Sequence, residues 1–340
     1  MYCNCDDARE SNFVKYFSLN FEFLGLKKLI STGYKADGKG VVLVYEGDKN
    51  GNRRVDNEEI IVNELNGDGD FRSEECIEYL KQADVVVTNP PFSLFRQYVK
   101  QLMDYNKKFI VMANNNAITY KEFFPYIKNG KVWLGRTLFT GKMPYFKVSD
   151  AYNLTNDRFE KREDGLYKQV NGICWFTNVP YVYDRKPLIL TKSYYDNPSA
   201  YPKFDNFDAI NVDKVADIPY DYDGVCGVPI TFLKNYCPNQ FTIIDGCNRY
   251  LILDSFNINE KIKNEHRHSC NINGNPKYFR VLIKKKDDLT PIPTQFEIID
   301  ARTIALNDKQ KNKNTYLIKD ADGAINGKPT YARICIKRIS

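Results

Sequence analysis

The sequence predicts an α/β protein whose first half is a doubly wound, mostly parallel sheet and whose second half is an irregular α+β region. Three observations carry this expectation. Through residue 185, short apolar runs alternate with segments of helical spacing, the pattern of repeated strand–helix units. One of those runs, "ADVVVTNPPFSLFRQYVK" (residues 83–100), stops at an asparagine followed by two prolines and passes straight into a helix. Neither proline can donate to a sheet ladder, so the strand ends there and delivers a polar side chain on a stiff turn, at the strand end where open α/β sheets place their chemistry. Near residue 185 the texture changes: Pro187, Pro198, Pro202, Pro219, Pro229 and Pro238 punctuate a stretch rich in Tyr and Asn. The expected organisation is one domain over residues 1–185 and a second region over 186–340.

The elements follow in chain order. "ESNFVKYFSLNFEFL" has Phe13, Tyr16 and Phe17 at helical spacing behind a capping Ser11. "GLKKLISTGY" reads as a strand, and residues 41–65 read as a β-hairpin with Asn50-Gly51 as turn chemistry. After "GDGDF" come a helix "SEECIEYLKQA", the strand "DVVVTN", a helix "SLFRQYVKQLMDY" and the strand "KFIVMAN". "KVWLGRTLF" and "GICWFTNV" supply two more strands. Beyond residue 185 the strands are "FTIIDG", "YFRVLIKK", "FEIIDA" and "YARICIKRI", and "LNDKQKNKNTY" reads as an exposed charged loop.

Composition bounds the function. The 340 residues are 43% hydrophobic and 27% charged, which suits one large or two ordinary globular domains. A net charge of +6 is compatible with a polyanionic partner without demanding one. No run of about 18 apolar residues is present, so no transmembrane helix is expected. "MYCNCDD" lacks the basic and apolar regions of a signal peptide. Nine scattered cysteines, an odd number, fit reduced thiols and a cytoplasmic location.

Asn-Pro-Pro-Phe has a specific chemical use. An exocyclic amine of a base, or an amide, is a poor nucleophile because its lone pair is delocalised. Two acceptors aimed at its N–H groups favour a pyramidal nitrogen and free the lone pair. The Asn89 side-chain oxygen and the Pro90 carbonyl can be those acceptors, and Pro90 and Pro91 hold both without a later entropic cost. Phe92 offers a flat apolar face for a planar substrate. The reaction this fits is in-line transfer of a methyl group from a sulfonium donor, with no covalent enzyme intermediate. The same four residues also make an ordinary tight turn after a buried strand. What favours chemistry is the apolar strand before them, the helix after them, and the acidic "GDGDF" one helix upstream.

Longer strings carry a resemblance. "YCNCDDARESNF", "GDGDFRSEE", "ADVVVTNPPFSLFRQYV", "GVPITFLKNYCPNQFTIIDG" and the final "YARICIKRI" are similar to the EcoRI-type adenine-specific DNA methyltransferases. The resemblance implies a Rossmann-like, S-adenosylmethionine-dependent methyltransferase domain followed by an α+β DNA-recognition region. It implies a modification enzyme of a restriction–modification system, acting as a monomer on a flipped adenine in double-stranded DNA. It makes Asn89, Pro90, Pro91 and Phe92 the catalytic motif. It places Asp70, with Phe71, at the end of the preceding strand to hold the cofactor's adenine. Asp6, Asp7, Ser11 and Asn12 would bind the cofactor's amino-acid end or ribose, although Asp6 and Asp7 also suit simple charge complementation of a helix N-terminus. The usual glycine-rich cofactor loop is missing from "CNCDDARESNF", an oddity the EcoRI-type enzymes share. The acid usually found after the second strand is missing too, which leaves Thr32 or Tyr34 for the ribose. Relatives carry a segment upstream of the first strand that contacts the cofactor's carboxylate end. The lack of one before Met1 would weaken cofactor binding or make the fold depend on a partner.

Other constellations carry less. Cys226, Cys237, Cys247, His266, His268 and Cys270 have none of the short Cys-x-x-Cys pairs that structural zinc favours, so no metal is expected. Cys237-Pro238 is the reverse of the Pro-Cys nucleophile of a cytosine-C5 methyltransferase and excludes that chemistry. Trp175 reads as core rather than a second stacking face. "IKKKDD" and "KRIS" read as solvated faces or phosphate contacts. Two alternatives stay open: a methyltransferase of an RNA base or a protein glutamine, and a truncated, catalytically silent DNA-binding relative.

Overall fold

In the computed structural model the chain divides into two compact units, Met1–Tyr183 and Asp184–Ser340. The structure describes residues 1–5, 8–52, 55–56, 58–135, 145–148, 159–169, 172–180, 186–204, 208–247, 279–284, 295–300, 315–319, 324–325 and 328–339.

The first unit is built on an eight-stranded sheet. In chain order its elements begin with β1 (Tyr2–Asn4), α1 (Asn12–Leu19), β2 (Leu29–Gly33), β3 (Val41–Tyr45) and β4 (Ile60–Glu64). They continue with α2 (Glu74–Gln82), β5 (Val85–Thr88), α3 (Phe95–Asp104), β6 (Lys108–Asn114), α4 (Phe124–Lys128) and β7 (Trp133–Leu134). A small sheet of β8 (Tyr145–Lys147), β9 (Phe159–Arg162) and β10 (Gly165–Gln169) precedes β11 (Ile173–Thr177). The large sheet has the order β4-β3-β2-β1-β5-β6-β11-β7. Its centre is parallel, β2 with β1, β1 with β5 and β5 with β6. Both flanks are antiparallel.

The burial pattern explains the sequence texture. All residues of β1 and β2 are buried, whereas the outer β4 is mostly exposed. Central parallel strands covered on both faces need near-continuous apolar runs. Cys3, Leu29, Leu43 and Val87 pack with Val14 and Phe17 of α1 on one face. Successive side chains alternate between faces, so Tyr2 points the other way, and its hydroxyl reaches the Cys76 carbonyl of α2 at 3.5 Å. On that second face Phe95 of α3, Phe123 and Phe176 of β11 stack with centroids 4.8–6.0 Å apart, all fully buried. Truncating one such ring to alanine costs about 3–5 kcal/mol.

The expected hairpin over 41–65 forms, pairing Val41 with Glu64 and Tyr45 with Ile60. Its connection runs from residue 46 to 59 rather than turning at Asn50-Gly51. The Glu59 carboxylate braces it by accepting from the Lys49 and Asn50 backbone at 2.7 and 3.3 Å. The β8–β9–β10 sheet was not expected from the sequence. Its short runs mix aromatic and charged residues, and none of its described side chains is buried.

In the second unit, a four-stranded sheet has the order β12 (Ile210–Asn211), β13 (Cys226–Pro229), β20 (Arg333–Arg338), β14 (Phe241–Cys247). The expected C-terminal strand "YARICIKRI" is therefore its third strand. A second sheet sets β15 (Phe279–Lys284) between β16 (Gln295–Asp300) and β17 (Thr315–Lys319), and β18 (Ala324–Ile325) pairs with β19 (Lys328–Pro329). Thr315 and Tyr316, read as the end of a charged loop, begin β17; the loop's remainder lies outside the described residues. Cys3, Cys5, Cys76, Cys174, Cys226 and Cys237 are not in disulfides. Cys335 is disulfide-bonded, a departure from the all-reduced expectation. Among the described residues, no helix is long and apolar enough to cross a membrane.

Candidate active site

β1 has β2 on one side and β5 on the other. The helices that follow β1 and β5 cover opposite faces, so the loops at the two strand ends part. In open α/β sheets this is the switch point where ligands bind, outside the carboxyl ends of the strands.

Asn89 to Phe92 stand at this edge, directly after β5. Asn89 is exposed, and its side chain has no hydrogen-bond partner among the described residues. Pro90 is buried beneath it and anchors the turn. Pro91 has φ −60° and ψ 124°, close to the value its ring dictates, and leads into the 3₁₀ turn Phe92–Leu94 that opens α3. Phe92 is 41% exposed, so part of it is open to a planar partner.

Below this exposed row lies a buried one. Thr88, the last residue of β5 and fully buried, donates its hydroxyl to the Asn4 carbonyl at the end of β1. The Tyr98 hydroxyl of α3 donates to Asn4 Oδ1. Burial pushes the Tyr98 phenol well above its ordinary pKa, so it stays a neutral donor. The next residue, Cys5, has φ 65°, left-handed backbone that ordinarily calls for glycine. A cysteine thus makes the turn after β1, in a loop where the sequence offered no glycine.

Asp70 does not sit at a strand end, because β4 is an outer antiparallel strand that stops at Glu64. The following loop carries it back across the end of β2. Lys35 donates its backbone N–H to the Asp68 carbonyl at 2.8 Å, and Gly40 donates to the Gly67 carbonyl at 2.9 Å. Gly69, at φ 83°, passes so near Gly33 that a β-carbon would lie 2.4 Å from the Gly33 carbonyl oxygen. The Asp70 carboxylate accepts from Arg72 Nε at 2.9 Å, Nη2 at 2.6 Å and the Arg72 backbone at 2.8 Å. The guanidinium's hydrogen bonds hold the Asp70 carboxyl below its ordinary pKa. An ionised carboxylate has about four lone-pair sites, so Asp70 keeps acceptor capacity beside Arg72. Phe71 is buried, with its ring edge-on to Tyr98 at 5.0 Å.

The remaining expected residues divide. Ser11 is buried and caps α1, accepting from the Phe13 and Val14 backbones at 3.1 and 3.4 Å. Asn12 is exposed in the first turn. Asp6 and Asp7 lie outside the described residues. Thr32 is fully buried and bonds the Tyr2 hydroxyl at 2.7 Å, which leaves Tyr34, 56% exposed after β2, as the available group of that pair. Trp175 is half-buried, edge-on to Phe13 of α1 at 6.1 Å. Cys226 and Cys237 are buried; His266, His268, Cys270 and the side chain of Cys247 lie outside what is described. Among the described residues, no group of three or more His, Cys, Asp or Glu side chains could hold a metal.

Sequence reasoning missed Asn4, Thr88 and Tyr98. They join residues 84 and 94 positions apart, and no periodicity signals such a bond. The donor set fits S-adenosylmethionine: Asn4 Nδ2 lacks a described partner, and Tyr34 follows β2, across whose end the loop brings Asp70.

Comparison with known proteins agrees with this chemistry. The model of a family described as "Adenine-specific methyltransferase EcoRI" matches residues 1–286. The chain is 45% identical over 296 residues to Type II methyltransferase M.EcoRI of Escherichia coli, covering 84% of this chain and 86% of that one. It is 39% identical over 293 residues to Type II methyltransferase M.MgeORF184P of Mycoplasma genitalium, and equally to M.MpnI of Mycoplasma pneumoniae, covering 84% of this chain and 88% of each. No solved structure matches. With the motif exposed at the switch point and a family match over most of its length, the chain belongs to the EcoRI family of adenine-specific methyltransferases.

Proposed function

We propose that this protein is a site-specific DNA adenine-N6 methyltransferase, the modification enzyme of a restriction–modification system, acting on an adenine flipped out of duplex DNA. The observation that carries the reading is the Asn89–Phe92 turn: an amide without a described partner and an exposed aromatic residue, next to buried Pro90, at the end of a central parallel strand of a Rossmann-like sheet.

S-adenosylmethionine, when bound, supplies an electrophilic methyl group. The chain's own residues do the rest. Asn89 Oδ1 and the Pro90 carbonyl accept the two N–H bonds of the adenine amine, drawing its lone pair out of conjugation. Pro91 keeps the turn rigid, so this alignment is made before the substrate arrives. Phe92 stacks on the extruded base, and that contact offsets part of the few kcal/mol of unstacking. Asp70, in the loop with Phe71, accepts from the cofactor's adenine amine, while Asn12 and the Ser11 turn border its amino-acid end. Residues from about 186 onward read the target sequence. The enzyme works as a monomer in the cytoplasm.

The experiment is to incubate the protein with methyl-labelled S-adenosylmethionine and, separately, duplex DNA, RNA and cell protein. Label on adenine N6 at one DNA sequence is expected. Label on RNA or protein alone would move the reading to another amine substrate. No label, with DNA binding retained, would make the chain a silent DNA-binding relative.

A further inference from the structure

Tyr98 touches elements from both sides of the switch point. Its hydroxyl holds Asn4 Oδ1 at the end of β1, and its ring meets Phe71 in the Asp70 loop at an interplanar angle of 76°. It stands one turn into α3, the helix that the Asn89–Phe92 turn opens. Gln101, three residues on and on the same face, donates Nε2 to the Phe71 carbonyl at 3.2 Å. One helix thus carries the proposed catalytic turn at its start and grips both cofactor-side loops along its buried face.

The two ends of an amide are not equivalent: one oxygen accepts and one nitrogen donates. With Oδ1 engaged by Tyr98, Asn4 Nδ2 is fixed as a donor, and no described residue accepts from it. Asn4 as a whole is 3% exposed, yet its Nδ2 is not among the sealed, partnerless polar atoms of the described residues, so it still opens to the surface, where a ligand acceptor can meet it. Without Tyr98 the amide is free to turn over and present its oxygen instead.

We propose that Tyr98 is a positioning residue. By holding Asn4 Oδ1 it aims Asn4 Nδ2 as a hydrogen-bond donor to S-adenosylmethionine, and it ties the cofactor's seat to the helix that begins at the methyl-accepting turn. The inference rests on the cofactor reading above.

The test is a double-mutant cycle on the full chain, with S-adenosylmethionine affinity measured by calorimetry. Tyr98→Phe keeps the ring against Phe71 and removes only the hydroxyl. It should weaken binding about tenfold, raise the cofactor KM with it, and change kcat at saturating cofactor far less. Asn4→Ala alone should weaken binding comparably. In the Asn4→Ala background, Tyr98→Phe should cost no further affinity, because its effect runs through that amide. Melting curves on each variant separate lost folding from lost binding. Unchanged affinity in Tyr98→Phe, the same loss with or without the Asn4 amide, or full affinity in Asn4→Ala would each overturn the proposal. Absence of cofactor binding by the parent chain would instead sink the reading on which it rests, and this inference with it.

Discussion

Two rows of residues at the ends of β1 and β5 differ in every physical respect. Asn89, Pro91 and Phe92 are exposed, and the Asn89 amide is unpartnered among the described residues. Asn4, Thr88 and Tyr98, immediately beneath, are buried and bonded to one another. The upper row has unspent hydrogen-bonding capacity and apolar area, which a substrate can use. The lower row, Asn4 Nδ2 excepted, has spent its own on holding strand ends and helix in register. A rigid, satisfied support under an unsatisfied surface is how a fold keeps reacting groups aligned without a penalty at the moment of reaction.

Substitutions in the upper row should therefore stop chemistry and spare the fold, and those in the lower row should show in stability or in cofactor affinity before they show in saturated turnover. The largest effect is expected from Asn89→Ala, which removes one preorganised acceptor: kcat should fall on the order of a hundredfold or more. Its melting curve and cofactor affinity should match the parent. An Asn89→Ala variant that keeps most of its turnover would break the comparison at once.

Thr88→Val is the matching change below. It keeps the shape, deletes the bond to the Asn4 carbonyl and leaves a buried acceptor short of a partner, costing about 1–3 kcal/mol of stability. Denaturant melts should move accordingly, while saturated turnover moves less. A Thr88→Val melt that superimposes on the parent's would show that the lower row carries no structural weight.

Asp70→Ala should lower S-adenosylmethionine affinity by roughly ten- to a hundredfold, the loss of one charged acceptor. Calorimetry decides it, and unchanged affinity would point to Asp68 nearby. The smallest effect concerns pH. The Asp70 carboxyl is held below its ordinary value, first by hydrogen bonds from Arg72. The pair's contribution to stability is therefore complete above the unfolded carboxylate pKa of about 4 and is lost as pH falls through the lower folded value. Arg72 is half exposed, so water screens the pair and that contribution is small. Replacing Arg72 by Gln should lower stability slightly at every pH above about 4, pH 7 included, and leave it unchanged in strong acid, which flattens only the acid limb of the profile; a new slope near pH 7 would contradict the assignment.

Legibility in the sequence followed the range of the interactions. α1 with its Ser11 cap, α2 with its Ser73 cap, and β6 over Lys108–Asn114 lie where local spacing and capping chemistry put them. Asn89–Phe92 was legible because two prolines after three valines are a local contradiction that only a strand end resolves. The hairpin's partners were readable but its turn was not, because Glu59 at the far end of a long connection braces it. Asp70 looked like a strand-end acid, yet its position depends on Gly69 meeting Gly33, a backbone contact across more than 30 residues. Tyr98 fell within the helix read from "SLFRQYVKQLMDY", with nothing local to single it out. Only the fold reveals that its hydroxyl is committed to Asn4.

The central claim, that the exposed row receives an extruded adenine, is tested most directly by fluorescence. A fluorescent adenine analogue is placed at the target position, in the sequence identified by mapping the transferred methyl groups. Emission should rise when the base leaves the DNA stack and be quenched where Phe92 stacks on it. Phe92→Ala should therefore give brighter emission than the parent at equal DNA occupancy, together with a loss in turnover of roughly ten- to a hundredfold that Phe92→Trp largely restores. Equal emission from parent and Phe92→Ala at equal occupancy would contradict the account.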